Sequence, residues 1–416
     1  MSEEPENEVT SPSPPLLKSL TLEGFLSFGP EAVTIPLTPL NVLIGPNGSG
    51  KSNLVEALSV LRAVPKDLPL PIRQGGGVRD WLWREDHKGA DAARLEVLFA
   101  EGKVANSALG MPAVRYRLVF GAEGGSFIVL DERVENEKPV GRSQEPYFYF
   151  GYENGRPMLN VQQERRELQR ADIDPTQSIL SQRRDPEAYP ELTRLADLLR
   201  RIAIFRNWQF GPDSSVRRSC RADVRTDALS ESFDNLPARL AVLLGMPAVK
   251  RRLIELLREL APGFDDLVVV PEGGALQIYL IEGSRSLPAH RLSDGTLRYL
   301  CLLAILLDPD PAPLMVIEEP ELGLHPDVLP TLRDLMVAAS EKSQLIVTTH
   351  STQMVDAMTD YADSVLVCEK KDGTTVVTRL TQEEVDRWRE HGSLGSLWMS
   401  GHLGGTRWCF GQGVVA

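Results

Sequence analysis

The segment GPNGSGKS, Gly45 to Ser52, has the spacing G-x-x-x-x-G-K-S, and its residue types are those that wrap a polyphosphate. Gly45, Gly48 and Gly50 let backbone N–H groups turn inward, and a helix opening at the loop adds its partial positive end. Lys51 is expected to reach the β and γ phosphates, with a tip exposed to solvent when no nucleotide is bound. The Ser52 hydroxyl is expected to ligate Mg²⁺. The loop as a whole, Gly45, Pro46, Asn47, Gly48, Ser49, Gly50, Lys51 and Ser52, with Asn53 beside it, makes the expected ATP contact. A glycine-rich turn opening a helix with no ligand is the plainer alternative.

Three further stretches carry chemistry. LMVIEEPELGLHP is an apolar run ending in adjacent carboxylates: Glu318 is placed to hold Mg²⁺, and Glu319 to orient and deprotonate an attacking water. An ordinary strand end emerging into solvent is the competing reading. RLSDGTLRYL sets Ser293 and Gly295 before an apolar helix, either as a simple cap or as donors to a γ-phosphate carried by another subunit. QLIVTTH ends an apolar strand on His350, a position that is usually structural but here follows the other motifs in order.

These residues need positioning elements. LNVLIG reads as a buried strand leading into the loop, and NLVEALSVLRAV from Ser52 to about Val64 as an amphipathic helix. Before them, LKSLTLEGFLSFGPEAVTIPL reads as two strands and a turn. RLEVLFA, VRYRLVFGA, SFIVLDERV and PYFYFGYENG predict an antiparallel β lobe. From about Gln162 to Arg206, ERRELQR and YPELTRLADLLRRIAIF predict helix, and LPARLAVLLGMPAVKRRLIELLREL predicts a further helical stretch. DDLVVVPEGGALQIYLIEG reads as a hairpin. The alternation of strand and helix that follows, through LMVIEE, Pro326 to Ser340 and QLIVTTH, predicts parallel pairing.

A chain of 416 residues with net charge -13 repels polyanions as a whole, so generic surface binding of nucleic acid is disfavoured. Arg200 to Arg225 reverses this locally, with seven arginines against Asp213 and Asp223, and invites phosphate contact or pairing with outside acids. Cys220, Cys301, Cys368 and Cys409 show no C-x-x-C pair, which argues against a zinc cluster or disulfide framework and for a reducing cytoplasm. Residues 1–15 read as a disordered acidic, proline-rich tail with no export signal, and no apolar run is long enough to insert stably in a membrane.

Taken in order, LKSLTLEGFLSF, GPNGSGKS, LSDGT, VIEEPELGLHP and TTHS resemble the ABC-type ATPase head of the RecF and SMC class, in particular compact AAA-family ATPases. LSESFDNLPARLAVL is similar to that family's linker, and SLGSLWMSGHLGGTRW to its tail. The resemblance covers about residues 16 to 408. It implies an α/β P-loop NTPase fold with an antiparallel β lobe and a helical insertion. It also implies Mg-ATP hydrolysis in a homodimer that pairs the phosphate loop of one chain with LSDGT of the other. Coupling to DNA or a separately encoded effector, in DNA maintenance or defence against mobile DNA, is the implied role. Departures from the pattern are Glu318 where the larger family has Asp, and His325 where the following loop has Asp. A glutamine loop is open between Gln209 and Gln74.

The expected organisation is a tail at 1–15, an N-terminal ATPase lobe at 16–160, an Arg-rich helical insertion and linker at 161–245, a C-terminal ATPase lobe at 246–380 and a tail at 381–416. An ATPase subunit of a membrane transporter is the alternative. A nuclease carrying such a head is a third class, disfavoured by the short stretch after His350.

Overall fold

Leu40–Ile44 is buried at every position, the signature of a strand covered on both faces. In the computed structural model, which describes residues 16–85, 88–103, 110–139, 144–153, 156–161, 164–168, 173–388 and 392–404, this strand lies inside a six-stranded sheet. The order across the sheet is Ala203–Phe205, Leu314–Glu318, Gln344–Thr348, Leu40–Ile44, Val365–Lys371 and Thr374–Arg379. All pairings are parallel except the last. The expected tail at 1–15, the end of the C-terminal tail and Cys409 lie outside the described residues.

Alternate side chains of this sheet serve different cores. Leu43, Val316, Ile346 and Leu366 pack with Leu54, Leu58 and Leu61 of the helix Lys51–Ala63. Val42, Ile44, Ile317 and Val347 pack instead with Leu300 and Leu303 of the helix Asp294–Leu306 and with Leu332 of Leu329–Ser340. The helix Lys51–Ala63 therefore shares a core with a second sheet. That sheet has eight antiparallel strands, ordered Glu164–Glu167, Arg156–Val161, Phe148–Glu153, Ser126–Asn136, Val114–Glu123, Ala92–Phe99, Leu17–Glu23 and Val33–Pro36. Ala93, Leu95, Val97 and Phe99 alternate inward on it, as a sheet covered on one face requires.

Three stretches depart from expectation. Glu164–Glu167, within the expected helix ERRELQR, is an edge strand paired antiparallel with Arg156–Val161. Ala203–Phe205, read as the end of a helix, is a parallel strand beside Leu314–Glu318; the preceding helix stops at Arg200. In both places sheet hydrogen bonds from distant chain override helix-forming composition. The stretch Leu236 to Leu260 is broken at Gly245 and Met246 into two helices, Leu236–Leu244 and Pro247–Leu260, because Pro247 suits a first helical turn and not an interior. The expected hairpin is Asp266–Glu272 with Ala275–Glu282, and Cys220–Arg221 of the insertion pairs onto it.

Among the described residues no helix is long and apolar enough to cross a membrane. Cys220, Cys301 and Cys368 are buried free thiols.

Candidate functional site

The strand Leu40–Ile44 delivers the loop, and Gly50 caps the helix Lys51–Ala63 in a left-handed conformation with φ 102°. A Cβ at Gly50 would lie 2.2 Å from Thr375 Oγ1, and one at Gly45 (φ 147°) 2.2 Å from the Cys368 carbonyl oxygen. Both positions therefore exclude any side chain. Ser49 is buried; Pro46, Asn47 and Gly48 line the outer, more exposed turn. Ser52 is exposed at the start of the helix. The Asn53 amide donates to Ser27 Oγ at 2.6 Å, tying the helix to the turn after the strand Leu17–Glu23.

Lys51 overturns the expectation of an exposed tip. It is only 5% exposed, and its Nζ donates to the carbonyls of Gly45 at 2.7 Å and Pro46 at 3.0 Å. Burial lowers its pKa to about 8, against an opposing pull from Cys368, Glu319 and Glu318.

Glu318 closes the strand Leu314–Glu318 and Glu319 stands just beyond it with φ 47°, a backbone region costly for a residue with a Cβ. The turn is held from several sides. Glu319 N donates to the Thr348 carbonyl at 2.9 Å, and the Glu319 carbonyl accepts from Leu322 N at 3.2 Å and from Arg298 Nη1 at 2.8 Å. Burial raises the Glu318 pKa, with Arg206 opposing. His350 Nε2 lies 3.5 Å from Glu319 Oε1. Burial, then Lys51, lowers the His350 pKa, against an opposing pull from Glu319.

Lys51, Ser52, Glu318, Glu319 and His350 line one pocket of about 270 Å³, together with Arg206, Trp208, Arg298, Leu322 and Thr348. It sits at the carboxyl ends of the parallel strands, where open α/β sheets bind ligands. The pocket unites cations suited to phosphate with a hydroxyl and carboxylates suited to a hard metal ion.

Ser293 and Gly295 are not brought into this pocket. Ser293 Oγ accepts from Thr296 N at 3.1 Å as the cap of the helix Asp294–Leu306, and its side chain is exposed. A Cβ at Gly295 would lie 2.8 Å from the Gly323 carbonyl oxygen. His325 caps a short 3-10 turn, its Nδ1 accepting from Asp327 N at 3.4 Å. Gln209 and Gln74 both line a separate cavity of about 1370 Å³ and not the small pocket; from the loop after Ala203–Phe205 it is Arg206 and Trp208 that reach it.

Arg206, Trp208 and Arg298 escape a motif reading because no spacing marks them. The only local signals are the arginine count around Arg206 and the aromatic Trp208 beside Gln209. The arginine-rich stretch is satisfied by acids both outside and inside its own bounds. Arg206 pairs with Glu56, Arg217 with Asp294, Arg201 with Asp310, Arg200 with Asp197 and Arg225 with Asp227; Arg218 and Arg221 pair with Asp213 and Asp223.

Residues 40–356 match the model of a family described as "AAA domain, putative AbiEii toxin, Type IV TA system". The Chromosome partition protein Smc of Mycolicibacterium paratuberculosis (strain ATCC BAA-968 / K-10) is 39% identical over 82 residues, 20% of this chain and 6% of that protein. The Old nuclease of Escherichia phage P2 is 35% identical over 74 residues, 18% of this chain and 12% of that protein. The chain thus spans only a small part of the length of either relative. Among solved structures, an Smc head bound to the C-winged helix domain of ScpA superposes with TM-score 0.57 at 18% identity, covering 89% of this chain and 99% of that one. A Pyrococcus furiosus Smc head with an extended coiled coil, bound to the C-terminal domain of ScpA, gives 0.53 at 17%, covering 91% and 99%. These likenesses establish the fold: a P-loop ATPase head of the SMC type, with mixed parallel and antiparallel sheets.

Proposed function

Since this chain belongs to the family described as AAA domain, putative AbiEii toxin, Type IV TA system, we propose that it is a Mg-ATP-binding ATPase whose hydrolysis is coupled to pairing with a second copy of itself. One observation carries the reading: Lys51, Ser52, Glu318, Glu319 and His350, from three distant segments, meet in one pocket at the end of a parallel sheet. Loop amides from Gly45 to Ser52 hold the phosphates. Lys51 exchanges its bonds to the Gly45 and Pro46 carbonyls for phosphate oxygens, and Asn53 steadies the loop through Ser27. Ser52 and Glu318 would hold Mg²⁺, which when bound would neutralise charge on the phosphates. Glu319 accepts the proton of the attacking water, and His350 beside it orients that carboxylate.

The exclusion of Ser293 and Gly295 from their own chain's pocket, with Ser293 exposed, supports their meeting the nucleotide of a partner copy. The product of the cycle is then a dimer that opens and closes with ATP. We place this work in the cytoplasm, in toxin–antitoxin-type defence or DNA maintenance, acting on DNA or a separately encoded effector protein. Light scattering of the Glu319→Gln chain with and without Mg-ATP tests the dimer. A doubling of mass with ATP supports it, and a monomer at saturating ATP and high protein concentration refutes it.

A further inference from the structure

Arg298 lies on the first turns of the helix Asp294–Leu306, one turn beyond Gly295, yet it is among the residues that line the small pocket. The residue is only 5% exposed. Its charge centre sits 4.8 Å from the ring centroid of Trp208 and 5.4 Å from that of Phe210, and those two rings stack on each other at 6.2 Å. Nη1 donates to the Glu319 carbonyl, and Trp208 Nε1 donates to the Glu318 carbonyl at 2.6 Å. Two successive carbonyls of the carboxylate pair are thus held by donors that are themselves stacked together. Burying a guanidinium is costly, and here one of its donors and its π face are engaged. What it secures is the residue with the left-handed backbone, Glu319.

We infer that Arg298, locked on Trp208 and Phe210, is a positioning residue that fixes the backbone of Glu319 and so aims its carboxylate for catalysis. This rests on the ATPase reading above. The clamp has a second end. Arg217, from the same insertion, donates to the carbonyls of Leu292 at 2.7 Å and Phe210 at 2.8 Å and pairs with Asp294. The loop that offers Ser293 outward and the turn that carries Glu319 are therefore tied to one aromatic pair.

The test uses Arg298→Lys, which keeps a buried cation but loses the planar stack and the fixed fork, and Trp208→Phe, which keeps a ring but loses the N–H. Displacement of a catalytic group by about 1 Å costs on the order of 100-fold. Arg298→Lys should accordingly lower kcat by about tenfold or more while leaving ATP affinity within about twofold. In the Glu319→Gln background it should lower the residual rate no further, because the group it positions is already gone. Hydrogen exchange of the peptide spanning Ile317 to Leu324, measured without nucleotide, should quicken in both variants while exchange of the loop Gly45 to Ser52 stays unchanged. The inference fails if exchange in that peptide is unaltered, if Arg298→Lys turns over at the wild-type rate, or if ATP affinity falls in step with kcat. The exchange result stands even where the unaltered chain shows no ATP turnover, an outcome that would sink the ATPase reading and leave the backbone clamp to be judged by itself.

Discussion

The amino group of Lys51 is folded back onto its own loop, donating to the Gly45 carbonyl at 2.7 Å. The lysine therefore has a ready partner before any phosphate arrives, and an incoming ligand must compete for it. Lys51→Ala should weaken ATP binding by about 10- to 100-fold, the worth of the charge-assisted bonds it removes. Isothermal titration checks this; unchanged affinity would mean that the loop does not hold ATP.

The same burial predicts a pH effect. With the folded pKa lowered to about 8, the native chain binds fewer protons at this site than the unfolded chain between about pH 8 and the ordinary lysine value. This group therefore makes stability rise with pH across that window. ATP affinity should do the opposite, falling as pH rises through about 8, with a proton taken up on binding. Titrations in two buffers of different ionisation enthalpy measure that uptake, and wild-type affinity that is flat from pH 7 to 9.5 would contradict it.

Glu132 supplies a titration far from the pocket. It accepts from Tyr116 Oη and from Ile179 N, each at 2.8 Å, and from Ser178 Oγ, tying the antiparallel sheet to the start of the helix Ile179–Gln182. Burial raises its pKa to about 7. The native chain then holds more protons than the unfolded one between about pH 4.5 and 7, so this contribution to stability is complete below pH 4.5 and is lost as pH rises through 7. Glu132→Gln should lower the melting temperature at pH 5, since one donor loses its acceptor at a cost of about 1–3 kcal/mol. It should also flatten the decline from pH 5 to 8. A wild-type decline that Glu132→Gln leaves unchanged would assign it to another group.

The composite site calls for a variant that spares the fold. Gly295 is unsuitable, because a side chain there meets the Gly323 carbonyl of its own chain. Ser293→Asp keeps a good helix cap while setting a carboxylate against a partner's γ-phosphate. In the Glu319→Gln background it should leave the melting temperature and ATP affinity of the isolated chain nearly unchanged and abolish ATP-driven dimers by light scattering. Intact dimers would return Ser293 to a capping role alone.

The parts of the fold that were legible are those whose pattern is local. LNVLIG, LMVIEE and QLIVTTH are continuous apolar runs because both faces of the sheet are covered, and each ends on a residue that chemistry demands. Glu164–Glu167 and Ala203–Phe205 were not legible, because what makes them strands is pairing with Arg156–Val161 and Leu314–Glu318. The pocket shows the same division. Lys51, Ser52, Glu318, Glu319 and His350 sit inside recognisable spacings, whereas Arg206, Trp208 and Arg298 reach the pocket through tertiary packing. The arginine-rich stretch shows it too: Glu56, Asp294 and Asp310, which pair with Arg206, Arg217 and Arg201, lie far off in the sequence.

The most direct test is phosphate release from Mg-ATP by the wild-type and Glu319→Gln chains, with bound ATP measured in the same samples. The amide keeps the shape of the carboxylate but cannot take the water's proton. Turnover should fall by ~10² to 10⁴ while ATP stays bound. Turnover that persists in Glu319→Gln and fails only in Glu318→Gln would reverse the two roles, and a wild-type chain that neither binds nor hydrolyses ATP would contradict the account at its centre.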